Sequence, residues 1–343
     1  MSSGKPVISY AQRFEDIFLA HCFGDRRDGF YIDIGSGHPV YDNTSFSFYL
    51  QGWHGITVEP NAWLARLSRA VRPRDHHVEG VVGASVGDAT FHLVDDFHGF
   101  STTIESHARS AWTQFGKHSH AIVVASTTLA DLCREHAPES IDFLKVDVEG
   151  AEQDVLLNGN WHKYRPKVVL AEALAPYSLA PAWGDWEPFL RRHGYRYAWF
   201  DSLNRYYLAE EAAELARSFD PPPATDTVVQ YRNTKPALAD AAHPDHRLAR
   251  LFAGADMIRL PLLSREVLCR MLTADVSPDM LEKPARPPEI AHAIERMFGP
   301  NPVLGPEDLS LPPSPCVRDI YAAVTKTDQF CAACGRISAS YAW

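Results

Sequence analysis

No apolar run in this 343-residue chain approaches the ~20 residues that a helix needs to cross a bilayer, which argues against a helical membrane span. Positive charge is in deficit: 33 Lys and Arg stand against 43 Asp and Glu, a formal net charge of −10. Polyanions need a basic surface, so nucleic acid and anionic membrane are not expected as partners. Cysteine is scarce, and six in a chain of this length do not make a disulfide framework. The opening Met1-Ser2-Ser3-Gly4-Lys5 lacks the apolar core of a signal peptide, so a cytoplasmic, reducing location is expected. No internal repeat is found. What the chain does have is 45% hydrophobic and 22% charged residues, the composition of a globular protein able to bury a core.

One stretch stands out, Phe30-Tyr31-Ile32-Asp33-Ile34-Gly35-Ser36-Gly37-His38-Pro39. An apolar β-rich run reaches an acid and then breaks into two glycines, the pattern of a buried parallel strand handing over to a cofactor-binding turn. Ahead of it, residues 5–28 read as an amphipathic helix. Behind it, the reading alternates. A helix is predicted over 41–51, a strand over 56–59 and a helix over 61–71. A third strand follows at 77–82, then an irregular section over 83–119 with an extra strand at 89–94 and a polar turn at 99–103. Further strands are expected at 121–125, 141–147 and 167–172, with helices at 129–136, after Glu149 and at 186–193. Residues 195–200 and 205–208 would close as a hairpin. This alternation predicts an α/β fold, a parallel sheet with helices on both faces and an antiparallel terminal hairpin strand.

Composition changes at Asp220-Pro221-Pro222-Pro223, beyond which 16 of the 25 prolines lie and strand-like runs cease. Helical patches at 246–253, 264–272 and 288–298 suggest an α-helical C-terminal extension. The expected organisation is therefore an N-terminal helical segment (1–28), a catalytic domain (29–220) and this Pro-rich extension (221–343), which could support a homo-oligomer.

Ligands of open parallel sheets bind at the carboxyl ends of the strands. Asp33, Glu59, Asp147 and Glu172 all fall at or near such ends. Glu59 lies 26 residues after Asp33, which leaves room for a helix and two turns and places it on the neighbouring strand, where an acid can accept hydrogen bonds from two ribose hydroxyls. A dinucleotide turn would read G-x-G-x-x-G. Here Val40 occupies the third glycine position, and Pro39 removes a backbone donor that a pyrophosphate would use. A cofactor with a ribose and no phosphate fits better, which points to S-adenosylmethionine.

Four collinear blocks carry a specific resemblance: Tyr10-x-Gln12-x-x-Glu15-Asp16; residues 29–39; Gly52-Trp53-x-Gly55-Ile56-x-Val58-Glu59-Pro60-Asn61; and Asp142-Phe143-Leu144-Lys145-Val146-Asp147-Val148-Glu149-Gly150-Ala151-Glu152. Over about residues 8–230 the chain resembles the FkbM family of S-adenosylmethionine-dependent methyltransferases. A further block, Gly194-Tyr195 with residues 200–207 and Pro222-Pro223, is similar to a branch linked to glycan genes. Ser202 stands where that branch would have glycine, and Ala224-Thr225 replaces an Asn-Val-Phe-like run. The resemblance implies a class I (Rossmann-like) methyltransferase fold and methyl transfer to oxygen, commonly a hydroxyl of a sugar or polyketide. It implies that Asp33, Gly35, Ser36 and Gly37 line the methionine part of the cofactor, that Glu59 with Pro60 and Asn61 holds the ribose, and that residues 80–83 border the adenine. Gln12 and Glu15 would close over it.

A hydroxyl is a poor nucleophile until its proton is taken or its oxygen coordinated. His38, Asp147, Glu149 and Glu172 are the candidates for that work. Asp147 and Glu172 should end adjacent strands, as the Mg²⁺-binding carboxylates of catechol O-methyltransferase do, and oxygen ligands suit Mg²⁺. Ser101 and Thr102 are candidate acceptor-loop residues. Asp201, Asn204 and Arg205, beside aromatic side chains, are candidate acceptor contacts, although a tight Asx turn would need Asp201 and Asn204 as well. Cys331-Ala-Ala-Cys334 with Cys316 falls short of the two ligand pairs of a structural zinc site. Two rivals remain open: a nicotinamide oxidoreductase, and a non-catalytic subunit that docks a glycan-biosynthesis enzyme through the C-terminal extension.

Overall fold

The structure, a computed structural model, describes residues 7–230 apart from Tyr41, 95–97, Leu179 and 226–227. The helical patches expected beyond 231 and the three cysteines Cys316, Cys331 and Cys334 lie outside the described residues. The described residues hold twelve strands: β1 (Val7–Ser9), β2 (Phe30–Ile34), β3 (His54–Val58), β4 (His76–Val78), β5 (Val81–Val82), β6 (Gly87–Val94), β7 (Ser119–Thr127), β8 (Phe143–Val146), β9 (Val168–Glu172), β10 (Tyr195–Phe200), β11 (Asn204–Ala209) and β12 (Val228–Gln230). Between them run α1 (Glu15–Phe23), α2 (Phe46–Leu50), α3 (Ala62–Val71), α4 (Glu105–Phe115), α5 (Leu129–His136), α6 (Glu152–Leu157) and α7 (Glu187–Arg192), with 3₁₀ turns at His98–Phe100 and Glu210–Phe219.

Seven strands form the main sheet in the order β10-β11-β9-β8-β2-β3-β4. The five from β9 to β4 are mutually parallel, and the β10–β11 hairpin adds two antiparallel strands. Chain order reverses at β2, which pairs with β3 on one side and β8 on the other. Such a reversal opens the crevice where ligands of these folds sit.

The strand sequences are apolar on both faces because both faces are covered. Ile32, Ile34, Leu144, Val146, Val169 and Ala171 pack with Leu129 and Leu132 of α5, Val155 and Leu156 of α6 and Leu190 of α7. Their neighbours Tyr31, Phe143, Val168, Leu170, Tyr206 and Leu208 point the other way, onto Phe18 and Leu19 of α1 and Phe48 of α2. That is the two-residue period of a strand read across two cores. The same alternation puts Asp33 and Lys145 on the α1 face. At the opposite end of the strands, Asp142 accepts from the Phe30 backbone N–H (2.9 Å) and from Lys167 Nζ (2.7 Å), which pins β2, β8 and β9 together.

Several elements differ from the sequence expectation. The helix over 41–51 contracts to α2, because the Asn43 side chain accepts from the Phe46 N–H (2.8 Å) and the helix begins only after it. The strand over 77–82 is two strands. Gly80, at φ +159°, approaches so close to β7 that a Cβ would lie 2.5 Å from the Ala125 carbonyl oxygen. Before it β4 ends the main sheet, and after it β5 joins a separate sheet in the order β5-β7-β6. The irregular section contains α4, and the N-terminal segment contributes β1, paired with β12, before its helix. By Cα proximity the described residues form one compact unit, except Pro39, Val40, Ala70–Pro73 and Gln230, which group separately. Within that second group, Arg72 Nη1 donates to the Pro39 carbonyl (3.4 Å).

Candidate active site

The glycine turn follows β2 directly. Gly35 takes φ +70°, and an added Cβ would lie 1.8 Å from the Asp147 carbonyl oxygen, so the turn can run against the end of β8 only without a side chain. The N–H groups of Gly35 and Ser36 donate to the Val58 carbonyl (3.1 and 3.0 Å), tying the turn to β3. Glu59, the next residue along, is buried and holds the turn through its carboxylate. Oε2 accepts from the Gly37 N–H (2.9 Å) and Oε1 from the Asn61 N–H (2.8 Å). Burial pushes its carboxyl up to about 7, against those two hydrogen bonds. Asn61 in turn caps α3 by accepting from the Leu64 N–H (3.4 Å), and Pro60 is half-buried between them.

Asp33 is wholly buried; Oδ2 accepts from Ser45 Oγ (2.5 Å), and Oδ1 lies 3.6 Å from Lys145 Nζ. Lys145 is a site residue that the sequence reading missed, although a lysine inside the apolar run 141–146 is itself a signal, since a buried ammonium needs partners. Its Nζ donates to the Gly35 carbonyl (2.9 Å) and pairs with Asp147 (3.2 Å). Burial works against its charge, but Asp147 and Asp33 outweigh burial and hold the ammonium above its ordinary value. His38 and Ser36 are also buried at the turn.

Beyond β8 and β9 three carboxylates converge. Asp147, Glu149 and Glu172 each offer one oxygen, and these oxygens lie within 4.8 Å of one another. Burial, then the charges of neighbouring acids with Asp147 foremost, raises the carboxyls of Glu149 and Glu172 well above the usual carboxylate range. Glu149 adopts φ +54°, an uncommon backbone for a residue with a side chain. Glu152, quoted in the motif but not picked out as a site residue, accepts from the N–H groups of Val148 (3.0 Å) and Gly150 (3.2 Å) and so shapes the loop that carries Glu149. The oxygen-only set suits a hard cation. Lys145, however, already places a positive charge at Asp147.

The remaining candidates divide into two groups. Thr102 Oγ1 donates to the backbone carbonyl of Glu149 (3.0 Å), which ties this turn to the loop that carries Glu149, whereas Ser101 Oγ accepts from the Val94 N–H (3.0 Å). Asp201, Asn204 and Arg205 have their hydrogen-bonding and charge largely committed internally. Asp201 Oδ1 accepts from the N–H groups of Leu203 (2.9 Å) and Asn204 (2.7 Å), which is an Asx turn. Asn204 Nδ2 donates to Glu15 Oε1 (3.0 Å), joining α1 to the hairpin. Arg205 stacks on Trp183 and Tyr197 (4.3 and 4.2 Å to the ring centroids) and pairs with Glu187 (3.3 Å). Burial, with the Asp201 charge, raises the Glu15 carboxyl. Gln12 is half-buried just before α1. Ser202, in place of the glycine expected from the resemblance, takes φ +80°.

An open, mostly parallel sheet with carboxylates gathered where its strand order reverses is a Rossmann-like methyltransferase fold. Residues 33–197, from within β2 into β10, match the family model of the methyltransferase FkbM domain, which supports a methyltransferase. No curated protein and no solved structure matches the chain.

Proposed function

We propose that the chain is an S-adenosylmethionine-dependent O-methyltransferase acting on a hydroxyl of a sugar, glycan or glycosylated metabolite. The observation that carries this reading is Glu59. It is a buried carboxylate beside the glycine turn, at the reversal of strand order, with both oxygens facing backbone donors of that turn and of the α3 entry. Each oxygen keeps a further lone pair for a ribose hydroxyl. Ser36 Oγ is buried with no hydrogen-bond partner among the described residues, and Asp33 Oδ1 has none beyond its ion pair with Lys145, so polar capacity for the methionine part remains. The residue set therefore fits the cofactor, with Gln12, Glu15, Gly35, Gly37, Pro60 and Asn61 around it.

When bound, S-adenosylmethionine supplies an activated methyl group on a sulfonium. The chain's own residues position the acceptor oxygen and take its proton. Burial, and then the charge of Asp147 beside them, raises the Glu149 and Glu172 carboxyls, which makes the ionised form of either a stronger base for that proton. Lys145 offsets the negative charge that builds when the cluster is ionised, a role we assign to it rather than to Mg²⁺. His38 stays a second candidate base. The oxidoreductase rival lacks the third glycine and a pyrophosphate donor at Pro39. The docking-subunit rival rests on residues outside those described.

The test is a calorimetric titration of S-adenosylhomocysteine into wild type and Glu59→Ala. Micromolar binding that disappears in the variant is expected; no binding to wild type would sink the methyltransferase reading.

A further inference from the structure

Two chain segments cross the carboxylate cluster, and they meet through aromatic rings. The first, which holds the 98–102 turn and α4, is moored on the Glu149 carbonyl by Thr102 Oγ1 (3.0 Å) and by His107 Nδ1 (3.1 Å). The second leaves β9 just after Glu172 and folds back on itself through the Ala175 N–H to the Ala180 carbonyl and the Ala182 N–H to the Ala173 carbonyl, each 2.8 Å. Tyr177 lies within that fold at φ +62°, a left-handed backbone that a bulky aromatic rarely adopts. Its ring meets Phe100 (5.0 Å between centroids) and Phe115 (6.1 Å), and Phe100 and Phe115 stack at 5.4 Å with a 10° interplanar angle.

We infer that Phe100, Phe115 and Tyr177 form an aromatic platform for the methyl acceptor, and that this acceptor is an uncharged carbohydrate ring whose hydroxyl faces Asp147, Glu149 and Glu172. The inference rests on the methyltransferase reading and deepens it. Phe115 is 54% exposed although one ring face stacks on Phe100, so the trio is open to solvent on the Phe115 side. Close by, polar capacity is left over: Glu172 Oε2 and the Tyr177 hydroxyl are both buried with no hydrogen-bond partner among the described residues. Glu149 lies near enough to Tyr177 that its charge, after burial, helps push the phenol up to about 12. An apolar wall with a few converging polar groups is the make-up of a small-molecule site. The mixture is selective. Three carboxyl groups stand against the one ammonium of Lys145, so an added anion such as a phosphate is disfavoured there, and a wholly apolar acceptor would leave buried oxygens unpaired. A pyranose satisfies both parts, with a C–H face for the rings and hydroxyls that can donate to or accept from the unpaired Glu172 and Tyr177 oxygens.

The experiment is saturation-transfer NMR on the full chain with saturating S-adenosylhomocysteine. The probes are methyl α-D-glucopyranoside, methyl α-D-mannopyranoside, methyl β-D-galactopyranoside and methyl α-L-rhamnopyranoside. At least one should receive saturation on its ring C–H protons. Phe115→Ala and Tyr177→Ala should weaken its binding roughly three- to tenfold, the range expected for losing one aromatic contact. Trp112→Ala, which removes an exposed aromatic of the same helix outside the trio, should leave it unchanged. Absence of signal from all four glycosides, insensitivity to Phe115→Ala, or an equal loss in Trp112→Ala would overturn the platform. Calorimetry of S-adenosylhomocysteine on the same samples separates the two failures. If the cofactor product binds and the sugars do not respond as stated, the platform is wrong; if it does not bind at all, the methyltransferase reading is wrong.

Discussion

Cofactor affinity should depend on pH through one carboxylate. Burial raises the Glu59 carboxyl to about 7, with the Gly37 and Asn61 N–H groups and the Lys145 charge pulling the other way. A ribose hydroxyl donates its proton, so the ionised carboxylate is the binding form. One unit below that pKa about one molecule in eleven is ionised, and one unit above it about ten in eleven. Affinity for S-adenosylhomocysteine should therefore fall roughly tenfold from pH 8 to pH 6. Glu59→Gln keeps the size and loses the charge, which should weaken binding roughly ten- to a hundredfold at pH 8. Other buried acids, Glu152 among them, are raised as well, so the variant serves as the control: whatever slope Glu59→Gln retains belongs to them, and the tenfold fall due to Glu59 should be gone. The stability sign is the opposite one. A carboxyl raised from 4.5 to about 7 contributes stability that is fully present below its unfolded pKa and is lost as pH rises through 7, roughly 3 kcal/mol in all. Glu59→Gln should lose this pH dependence in denaturant melts, with a cost at every pH because its amide NH2 then faces one of the two backbone donors. Calorimetry at pH 6, 7 and 8 decides the matter. A wild-type affinity that does not change, or a Glu59→Gln that binds like wild type, would refute the role of this carboxylate.

Other outcomes follow from the same geometry. Gly35→Ala drives a Cβ to 1.8 Å from the Asp147 carbonyl oxygen at φ +70° and should cost several kcal/mol, read as a collapse of the melting temperature; a shift of under 2 °C would mean that the turn is not built as described. Lys145→Met leaves Asp33 and Asp147 without their cation and should cost roughly 3 kcal/mol by urea titration, whereas EDTA should leave methyl transfer unchanged because Lys145 already answers Asp147. Activity lost to EDTA and restored by Mg²⁺ would hand that role to a metal. Ser202→Gly removes the strain of a left-handed serine and should raise stability by about 1 kcal/mol; no gain in the melt would show that the Asx turn of Asp201 already absorbs the strain.

Much of the frame could be read from residue order. The runs at 30–34, 54–58, 143–146 and 168–172 are mostly apolar on both faces because they are strands covered on both sides, and each is followed within a residue by, or contains, the acid that the ligand end of a parallel sheet calls for. Local chemistry of that kind, a strand, a turn and a cap, is set by near neighbours, which is why Asp33, Gly35, Gly37 and Glu59 were legible. α4 was not, because just two of its positions, Ala108 and Ala111, are buried, and a helix with so narrow an apolar stripe leaves little periodic signal. The split of the 77–82 run depends on the approach of Ala125, which is distant in sequence.

The sequence by itself determined the class of the fold, the glycine turn and the acids beside it, since these follow from hydrophobic period, spacing and backbone freedom. Only the tertiary structure decided which of those acids act together. It drew Asp147, Glu149 and Glu172 into one cluster, set Lys145 against Asp147, turned Asn204 inward to Glu15, and brought Phe100, Phe115 and Tyr177 into ring contact. Charge–charge and ring–ring contacts act through space between segments that loops bring together, so no local pattern in the chain encodes them.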